Sequence, residues 1–110
     1  MTYKDLDTII GTIGLPYAYY QFKEDTGQQP PFICWMLDGI DDLYADNINY
    51  QRIAQLTIEL YTDEKDFAQE IEIENFLTGL GWSYGKEEEY LDTERMHMTI
   101  YTMEVVINAE

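Results

Sequence analysis

The stretch that decides the fold is residues 49–80, which read NYQRIAQLTIELYTDEKDFAQEIEIENFLTGL. Its first half alternates between apolar and more polar side chains: Ala54, Leu56, Ile58 and Leu60 are separated by Gln55, Thr57, Glu59 and Tyr61. Successive side chains of a β-strand point to opposite faces of the sheet. The alternation therefore predicts a strand with one buried face and one wetter face.

The second half of this stretch predicts an amphipathic helix. A polar segment at residues 62–66 is followed by apolar residues at mainly helical spacing: Phe67, Ile71, Ile73, Phe76, Leu77 and Leu80. Thr62 or Asp63 is the expected N-cap, and Gly79 and Gly81 are stop signals. We expect Glu70, Glu72 and Glu74 mostly on the outer side of this helix. A strand followed at once by a helix that can cover its apolar face indicates an α+β fold.

The rest of the chain supplies further elements around this unit. Residues 2–14 predict a helix capped by Thr2, residues 17–22 and 32–37 predict strands, and residues 82–91 and 94–107 predict a closing hairpin. Residues 38–47, rich in acids, are expected to form a loop, or a flap anchored by Ile40, Leu43 and Tyr44. In the last strand the apolar side chains change face near Ile100, which predicts a bulge or a change of neighbouring strand. We therefore expect a single α+β domain over residues 1–110, with an antiparallel or mixed sheet of about four to five strands and two helices packed on it.

Charge restricts the possible partners. The chain of 110 residues has 6 basic and 22 acidic side chains, a net charge of −16 and a pI near 4.1. Binding to phosphate backbones or anionic membranes requires Lys and Arg, so direct nucleic-acid and membrane binding are not expected. An apolar fraction of 45% argues against a disordered acidic tail. Without a signal-peptide pattern or a long apolar run, we expect a soluble cytoplasmic protein.

Catalytic motifs are not recognisable, and we expect no enzyme and no cofactor. Cys34 is the only cysteine and lies within an apolar run, which favours a buried hydrophobe over a nucleophile. His97 is the only histidine, and it lacks a recognisable catalytic partner. The acids of residues 38–46 have oxygen ligands but not the spacing of an EF-hand loop. Solvated surfaces are the favoured interpretation of all the acidic clusters.

Several short segments, in this order, resemble small proteins of tailed phages and prophages of Gram-positive bacteria. These segments are LPYAYYQF at 15–22, PPFICW at 30–35, ADN at 45–47, IELYTDEKD at 58–66, EEY at 88–90 and YTMEV at 101–105. The resemblance covers nearly the whole chain and contains no catalytic motif. The proteins concerned belong to the tail terminator family, also called tail-completion or tail-to-head joining proteins.

The resemblance implies a compact α+β subunit that forms a ring, usually a hexamer, on the head-proximal end of a long non-contractile tail. Its partners would be other copies of itself, the tail tube protein and the head connector protein. It would reside in the host cytoplasm during assembly and then in the tail or neck of the virion. Residues proposed for interface or lumen loops are Asp38, Asp41, Asp42, Tyr44, Asp46, Glu87, Glu88 and Glu89.

Two alternatives stay open at this stage. The first is another ring component of the same phage neck, a head-completion or connector protein, which the same composition fits. The second belongs to a different class: a small acidic inhibitor or DNA mimic, whose carboxylates would imitate the spacing of phosphates. Tight, salt-sensitive binding to a DNA-binding enzyme would favour the second alternative.

Overall fold

The computed structural model describes residues 1–23, 27–45 and 48–108. In chain order the elements are α1 (Tyr3–Gly11), β1 (Tyr17–Tyr19), β2 (Phe32–Ala45), β3 (Ile48–Thr62), α2 (Phe67–Gly79), β4 (Gly85–Leu91) and β5 (Met96–Ile107). The strands form one five-stranded sheet in the order β1-β2-β3-β5-β4. β1 pairs with β2 in parallel, and the other neighbours are antiparallel. The predicted α+β fold with a mixed sheet and two helices is confirmed.

The two helices cover one face of the sheet. Alternate residues of the central strands point to this face, as the alternation in β3 predicted. The fully or nearly buried side chains of this core are Leu6 and Ile10 of α1, Ile73 and Leu77 of α2, and Ile33, Trp35, Ala54, Leu56, Ile58, Leu60, Tyr101, Met103, Val105 and Ile107 of the strands. We call the opposite side of the sheet, which carries neither helix, the open face.

Helix α1 begins with a reciprocal cap. The Asp5 backbone N–H donates to the Thr2 hydroxyl at 3.1 Å, and the Thr2 backbone N–H donates to the Asp5 carboxylate at 2.9 Å. This capping box satisfies amides that have no partner within the helix, and it confirms Thr2 as the cap. The helix ends at Gly11, three residues before the predicted end at residue 14.

Strand β2 corrects the prediction of a loop over residues 38–45, and residues 46 and 47 of that prediction lie outside the described residues. The strand continues to Ala45 and pairs with β3 along its length, with register shifts between Leu37 and Gly39 and between Leu43 and Tyr44. Acidic residues and glycine are depleted in strands, which explains the loop prediction. Pairing along the unusually long β3 outweighs that weak preference. At the other end, β1 stops at Tyr19 instead of residue 22, and Tyr20 has a positive φ of 70°.

The predicted bulge in the last strand is wrong. The register between β3 and β5 runs without a shift from Arg52 opposite Ile107 to Thr62 opposite His97. Odd-numbered residues of β5 from Thr99 onwards all lie on the helix-covered face, and Thr99 itself is buried. The apolar pattern was misleading for two reasons: Met98 is buried although it lies on the open face, and Thr99 is polar although it lies on the helix-covered face.

Helix α2 differs from its prediction at the cap and on its faces. Asp66, not Thr62 or Asp63, is the N-cap, and its side chain accepts a hydrogen bond from the Gln69 N–H at 3.0 Å. The residues buried against the sheet are Glu70, Ile73 and Leu77. The predicted apolar stripe is therefore only partly correct, because Phe67, Ile71 and Leu80 are exposed.

Candidate interaction surface

The acids of residues 38–42 that the sequence analysis assigned to an interface or lumen loop lie on strand β2, and their surroundings differ from one residue to the next. Asp38 lies at the register shift and accepts a hydrogen bond from the Thr57 hydroxyl on the open face. Asp41 pairs in register with Ile53 and is exposed on the same face. Asp42 points to the helix-covered side, where Arg52 Nε lies 2.6 Å from its Oδ1 atom. Asp42 therefore serves the fold, whereas Asp41 is available at the surface.

Arg52 links this part of the sheet to α1. Its Nη2 atom donates to Asp42 Oδ2 at 3.2 Å, and its Nη1 atom donates to the Tyr3 hydroxyl at 2.9 Å. Tyr44 belongs to β2, where its backbone is opposite Asn49. Asp46 lies outside the described residues, so its predicted role stays a prediction.

The three predicted acids of β4 point to both faces of the sheet. Glu87 and Glu89 are exposed, and their partners on β5, Ile100 and Met98, belong to the open face. Glu88 lies on the opposite side, where Lys65 Nζ is 2.7 Å from its Oε2 atom. Strands β2 and β4 are separated by β3 and β5, so Asp41 and Glu87 lie at least ~14 Å apart across the sheet. The two predicted clusters therefore do not form one site.

Charge is segregated between the two faces of the sheet. Register assigns these carboxylates to the open face: Asp38, Asp41, Glu59, Glu87, Glu89 and Glu104. The basic residues of the described strand segments are Arg52 and Lys86, and both lie on the helix-covered side, in ion pairs with Asp42 and with Glu70 and Glu74. Every charged side chain that the described strand segments carry on the open face is thus acidic.

A cleft opens at one end of the open face, with a volume of about 550 Å³. The segment after β1 forms one wall, and the ends of β2, β3 and β5 form the floor. Its apolar lining comes from Tyr20, Phe22, Phe32, Cys34, Met36, Tyr61, Leu91 and Met96, and its acidic lining comes from Glu59 and Glu94. The sequence did not single out this cleft, because the strand ends and the segment after β1 are distant along the chain.

Glu59 is the unusual carboxylate of this cleft. It is half-buried and accepts a hydrogen bond from the Tyr61 hydroxyl at 2.8 Å. Burial raises the pKa of Glu59, and the nearby charges of Asp38 and Glu89 act in the same direction, although the Tyr61 hydroxyl opposes them. No ion pair with a basic group satisfies Glu59 within the part of the chain that the structure describes. The carboxylate is therefore held in a partly desolvated place, where the Tyr61 hydroxyl is its described hydrogen-bond donor.

The surroundings of Cys34 and His97 fit roles in packing. Burial raises the pKa of the Cys34 thiol to about 11, with a further contribution from the charge of Glu59. The thiol is therefore protonated at neutral pH and is a poor nucleophile. The His97 ring packs edge-on against Tyr90, with ring centroids 4.9 Å apart. Among residues 1–23, 27–45 and 48–108, no group of three or more His, Cys, Asp or Glu side chains is arranged to hold a metal ion.

The sequence did not predict an ion network that joins α2 to β4. The Glu70 side chain is only 3% exposed, and its carboxylate oxygens lie 2.8 Å from Lys65 Nζ and 2.9 Å from Lys86 Nζ. Lys86 also lies 2.7 Å from Glu74, which accepts a hydrogen bond from the Tyr101 hydroxyl at 2.8 Å. The expectation that Glu70 lies on the outer side of α2 is wrong. The ion pairs with Lys86 fasten α2 to β4, and the Tyr101 hydrogen bond fastens it to β5. The signal for the ion pairs in the sequence was the presence of a lysine on each side of the helix.

The comparisons with known proteins add no assignment: no protein-family model matches the chain, and no curated protein matches it. No helix in the described portion of the chain is long and apolar enough to cross a membrane.

Replacement of Glu59 by glutamine tests the environment of this carboxylate. At pH 7.5 we expect Glu59→Gln to increase the free energy of unfolding by less than ~1 kcal/mol, because glutamine keeps an acceptor for Tyr61 and needs no counter-charge. The pKa of Glu59 is raised by folding, so the ionised group costs stability above that pKa and the cost falls as the pH drops through it. The advantage of the variant should therefore shrink at pH 5.

Thermal unfolding at pH 7.5 and at pH 5 would measure this difference, and both values lie above the pI near 4.1. The exposed Glu72 of α2 provides the control, because Glu72→Gln removes the same charge from a solvated position. A loss of stability in Glu59→Gln at pH 7.5, or an equal gain in both variants, would contradict the description of Glu59.

Proposed function

We propose that this protein is a structural subunit of phage or prophage tail assembly, a tail terminator that caps the tail tube as a ring and provides the surface for head joining. The resemblance described above suggests the role. The observation that supports it best is that the charged side chains of the described strand segments on the open face are all acidic. A surface that repels the phosphate backbone suits the lining of a channel through which DNA must pass without adhering.

The β2–β3 ribbon supports a role in contacts between subunits. β3 begins at Ile48, but its pairing with β5 begins only at Arg52. Beyond that point, residues 43–45 and 48–51 pair only with each other among the described residues. An isolated two-stranded ribbon is marginally stable in water, so a projecting one gains from packing on a neighbour. In a closed ring each subunit presents two different patches to its neighbours, and such a projection can supply one of them.

The mechanism we propose is assembly without a chemical step. Docking on the last ring of the tail tube buries the surface on which the next tube subunit would add, and this stops growth. The exposed side of the new ring then receives the head connector. Asp41, Glu87 and Glu89, which project from the acidic face, are the predicted lumen residues that remain available for contact with the channel.

Electron microscopy of lysates tests the role directly. Deletion of the gene from the phage or prophage that carries it should give unjoined heads beside free tails, with overlong tails among them. Empty or DNA-leaking heads beside tails of normal length would assign the protein to the connector instead. Intact infectious particles would refute both roles and leave an acidic inhibitor as the hypothesis to test.

A shortened ribbon tests the contact between subunits. Replacement of residues 43–51 by Asn-Gly keeps the Asp42–Arg52 pair and joins the strands by a two-residue turn. We expect this variant to fold yet to fail in complementing the deletion. The matched control is a variant that keeps the ribbon length but changes only an exposed residue of α2, Glu72→Gln. Full complementation by the shortened variant would contradict a role of the ribbon in assembly.

A further inference from the structure

Strand β4 forms one edge of the sheet, and its outer side has no neighbouring strand among the described residues. It pairs with β5 in a continuous register from Gly85 opposite Thr102 to Leu91 opposite Met96, and six of its seven residues are exposed. An edge strand presents a row of unpaired N–H and C=O groups to solvent. The opposite edge strand, β1, has only three residues. The β4 edge is therefore the longer of the two edges at which a further strand can add.

The side chains of β4 restrict what can pair with it. Glu87, Glu88 and Glu89 occupy the centre of the strand. Glu88 lies beside Lys65, whereas Glu87 and Glu89 point to the open face and form no ion pair within residues 1–23, 27–45 and 48–108. Directly opposite residues of paired strands have Cβ atoms about 5 Å apart, so opposite charges there stabilise the pairing and like charges destabilise it. The edge therefore favours a strand with basic side chains opposite Glu87 and Glu89.

A second copy of this chain is a poor occupant of the β4 edge. Antiparallel pairing of two β4 strands about a two-fold axis through Glu88 places Glu88 opposite its counterpart and each Glu87 opposite a Glu89. Three carboxylates from each copy then meet at the centre of the contact, and the net charge of −16 on each chain adds to the repulsion. The acids that protect this edge against self-pairing are complementary to a basic strand.

We propose that the β4 edge binds an extended segment of a partner protein that carries Lys or Arg at two alternate positions, and that this segment adds to the sheet as a sixth strand. Backbone hydrogen bonds to β4 supply the affinity, and the basic side chains opposite Glu87 and Glu89 fix the register. On the other face, the half-exposed ring of Tyr90 favours an apolar residue opposite it. Strand addition leaves the open face uncovered, so this inference goes beyond the role proposed in tail assembly and does not depend on it.

A nuclear magnetic resonance titration with a short peptide tests the proposal. The probe acetyl-Val-Lys-Thr-Lys-Val-amide carries both lysines on one face of a strand at adjacent alternate positions. The control acetyl-Lys-Val-Thr-Val-Lys-amide has the same composition and charge, but its lysines are too far apart to lie opposite Glu87 and Glu89 together. At about 0.15 M salt we expect saturable shifts of the β4 amides, with a dissociation constant on the order of 1 mM. The control should bind at least threefold more weakly.

Hydrogen exchange shows whether the bound probe forms a strand. Alternate amides of β4 face β5, and the others face the free edge. At about 5 mM probe, the amides that face the edge should exchange about sixfold more slowly, because free peptide at five times the dissociation constant lowers the unbound fraction sixfold. The amides that face β5 are already bonded and should keep their rates. Protection of the edge amides on raising the protein concentration without peptide would assign the edge to a second copy and overturn the proposal.

Two double variants decide whether the acids of β4 select the peptide. Glu87→Gln with Glu89→Gln should weaken binding at least threefold, and its spectrum outside β4 establishes that it is folded. Glu64→Gln with Glu72→Gln removes the same charge from exposed positions elsewhere and should leave binding unchanged. The proposal is overturned if the two double variants behave alike, if the two peptides bind equally well, or if the edge amides stay unprotected. Absence of saturable shifts up to about 10 mM probe would overturn it as well.

Discussion

Replacement of Leu77 by alanine is expected to lower the free energy of unfolding by about 3 kcal/mol. Leu77 is fully buried and belongs to the core in which α2 covers β3 and β5. Truncation removes the apolar contacts of the side chain and leaves a cavity that rigid neighbouring strands fill only in part. In a domain of this size the loss should lower the melting temperature by more than ~10 °C. Chemical denaturation monitored by tryptophan fluorescence would measure it.

Leu80 provides a matched control on the same helix end. Its side chain is 38% exposed, so Leu80→Ala should cost less than ~1 kcal/mol. The two leucines are equivalent in an apolar stripe read from the sequence, and only the structure separates them. Equal losses for the two variants would show that α2 is rotated relative to the face described here.

Replacement of Lys86 by methionine is expected to lower the free energy of unfolding by about 2 kcal/mol at pH 7.5. The change keeps the apolar stem of Lys86 but leaves Glu70 with only Lys65 and Glu74 with only the Tyr101 hydroxyl. The loss is smaller than for a fully buried pair because the Lys86 side chain is 35% exposed and solvent screens its charge. Replacement of the exposed Lys4 by methionine is the control and should change stability by less than ~0.5 kcal/mol.

The pH dependence of this loss follows from the carboxyl groups. Burial alone would raise the pKa of Glu70 and of Glu74, but hydrogen bonds outweigh burial, and both pKa values are lowered. The hydrogen bonds to Glu70 come from Lys65 and Lys86. Those to Glu74 come from Lys86 and Tyr101. A lowered pKa contributes stability that is present above the unfolded value of about 4.3 and is lost as the pH falls through the folded value.

The difference between the wild-type protein and Lys86→Met should therefore narrow as the pH is lowered from 7.5 towards 5, because carboxyl groups with a higher pKa in the variant become protonated first. Adding Glu70→Gln to Lys86→Met should restore part of the stability by removing the buried charge. A constant difference across this pH range, or no restoration in the double variant, would contradict the ion network.

The sequence was informative where periodicity was strong. The alternation in β3, the Thr2 cap of α1 and the closing hairpin correspond to elements of the structure, because each depends on residues close in the chain. The continuation of β2 through Asp38, Asp41 and Asp42 was not predictable, since pairing with β3 provides the hydrogen bonds that those residue types do not favour by themselves.

The candidate sites depended on contacts that are distant in sequence. From the sequence, Glu70 was expected to be a solvated helix residue, because its partner Lys86 lies on β4, which is distant along the chain. The cleft around Glu59 requires the segment after β1 to meet the ends of three strands. The division of Glu87, Glu88 and Glu89 between two faces was predictable from the strand period, but the ion pair of Glu88 with Lys65 was not.

Basic residues of this chain are engaged in intramolecular ion pairs, and its excess of acids affects how copies of the protein associate in solution. Arg52, Lys65 and Lys86 form intramolecular ion pairs, so at least three of the 6 basic residues neutralise acids of their own chain. Because the net charge is −16, approaching copies repel one another, and the repulsion has a range of ~30 Å at 0.01 M salt but only ~8 Å at 0.15 M. The protein concentration needed for self-association therefore falls as the ionic strength rises. A positively charged partner surface would lower that concentration as well, because it neutralises part of the negative charge of each copy.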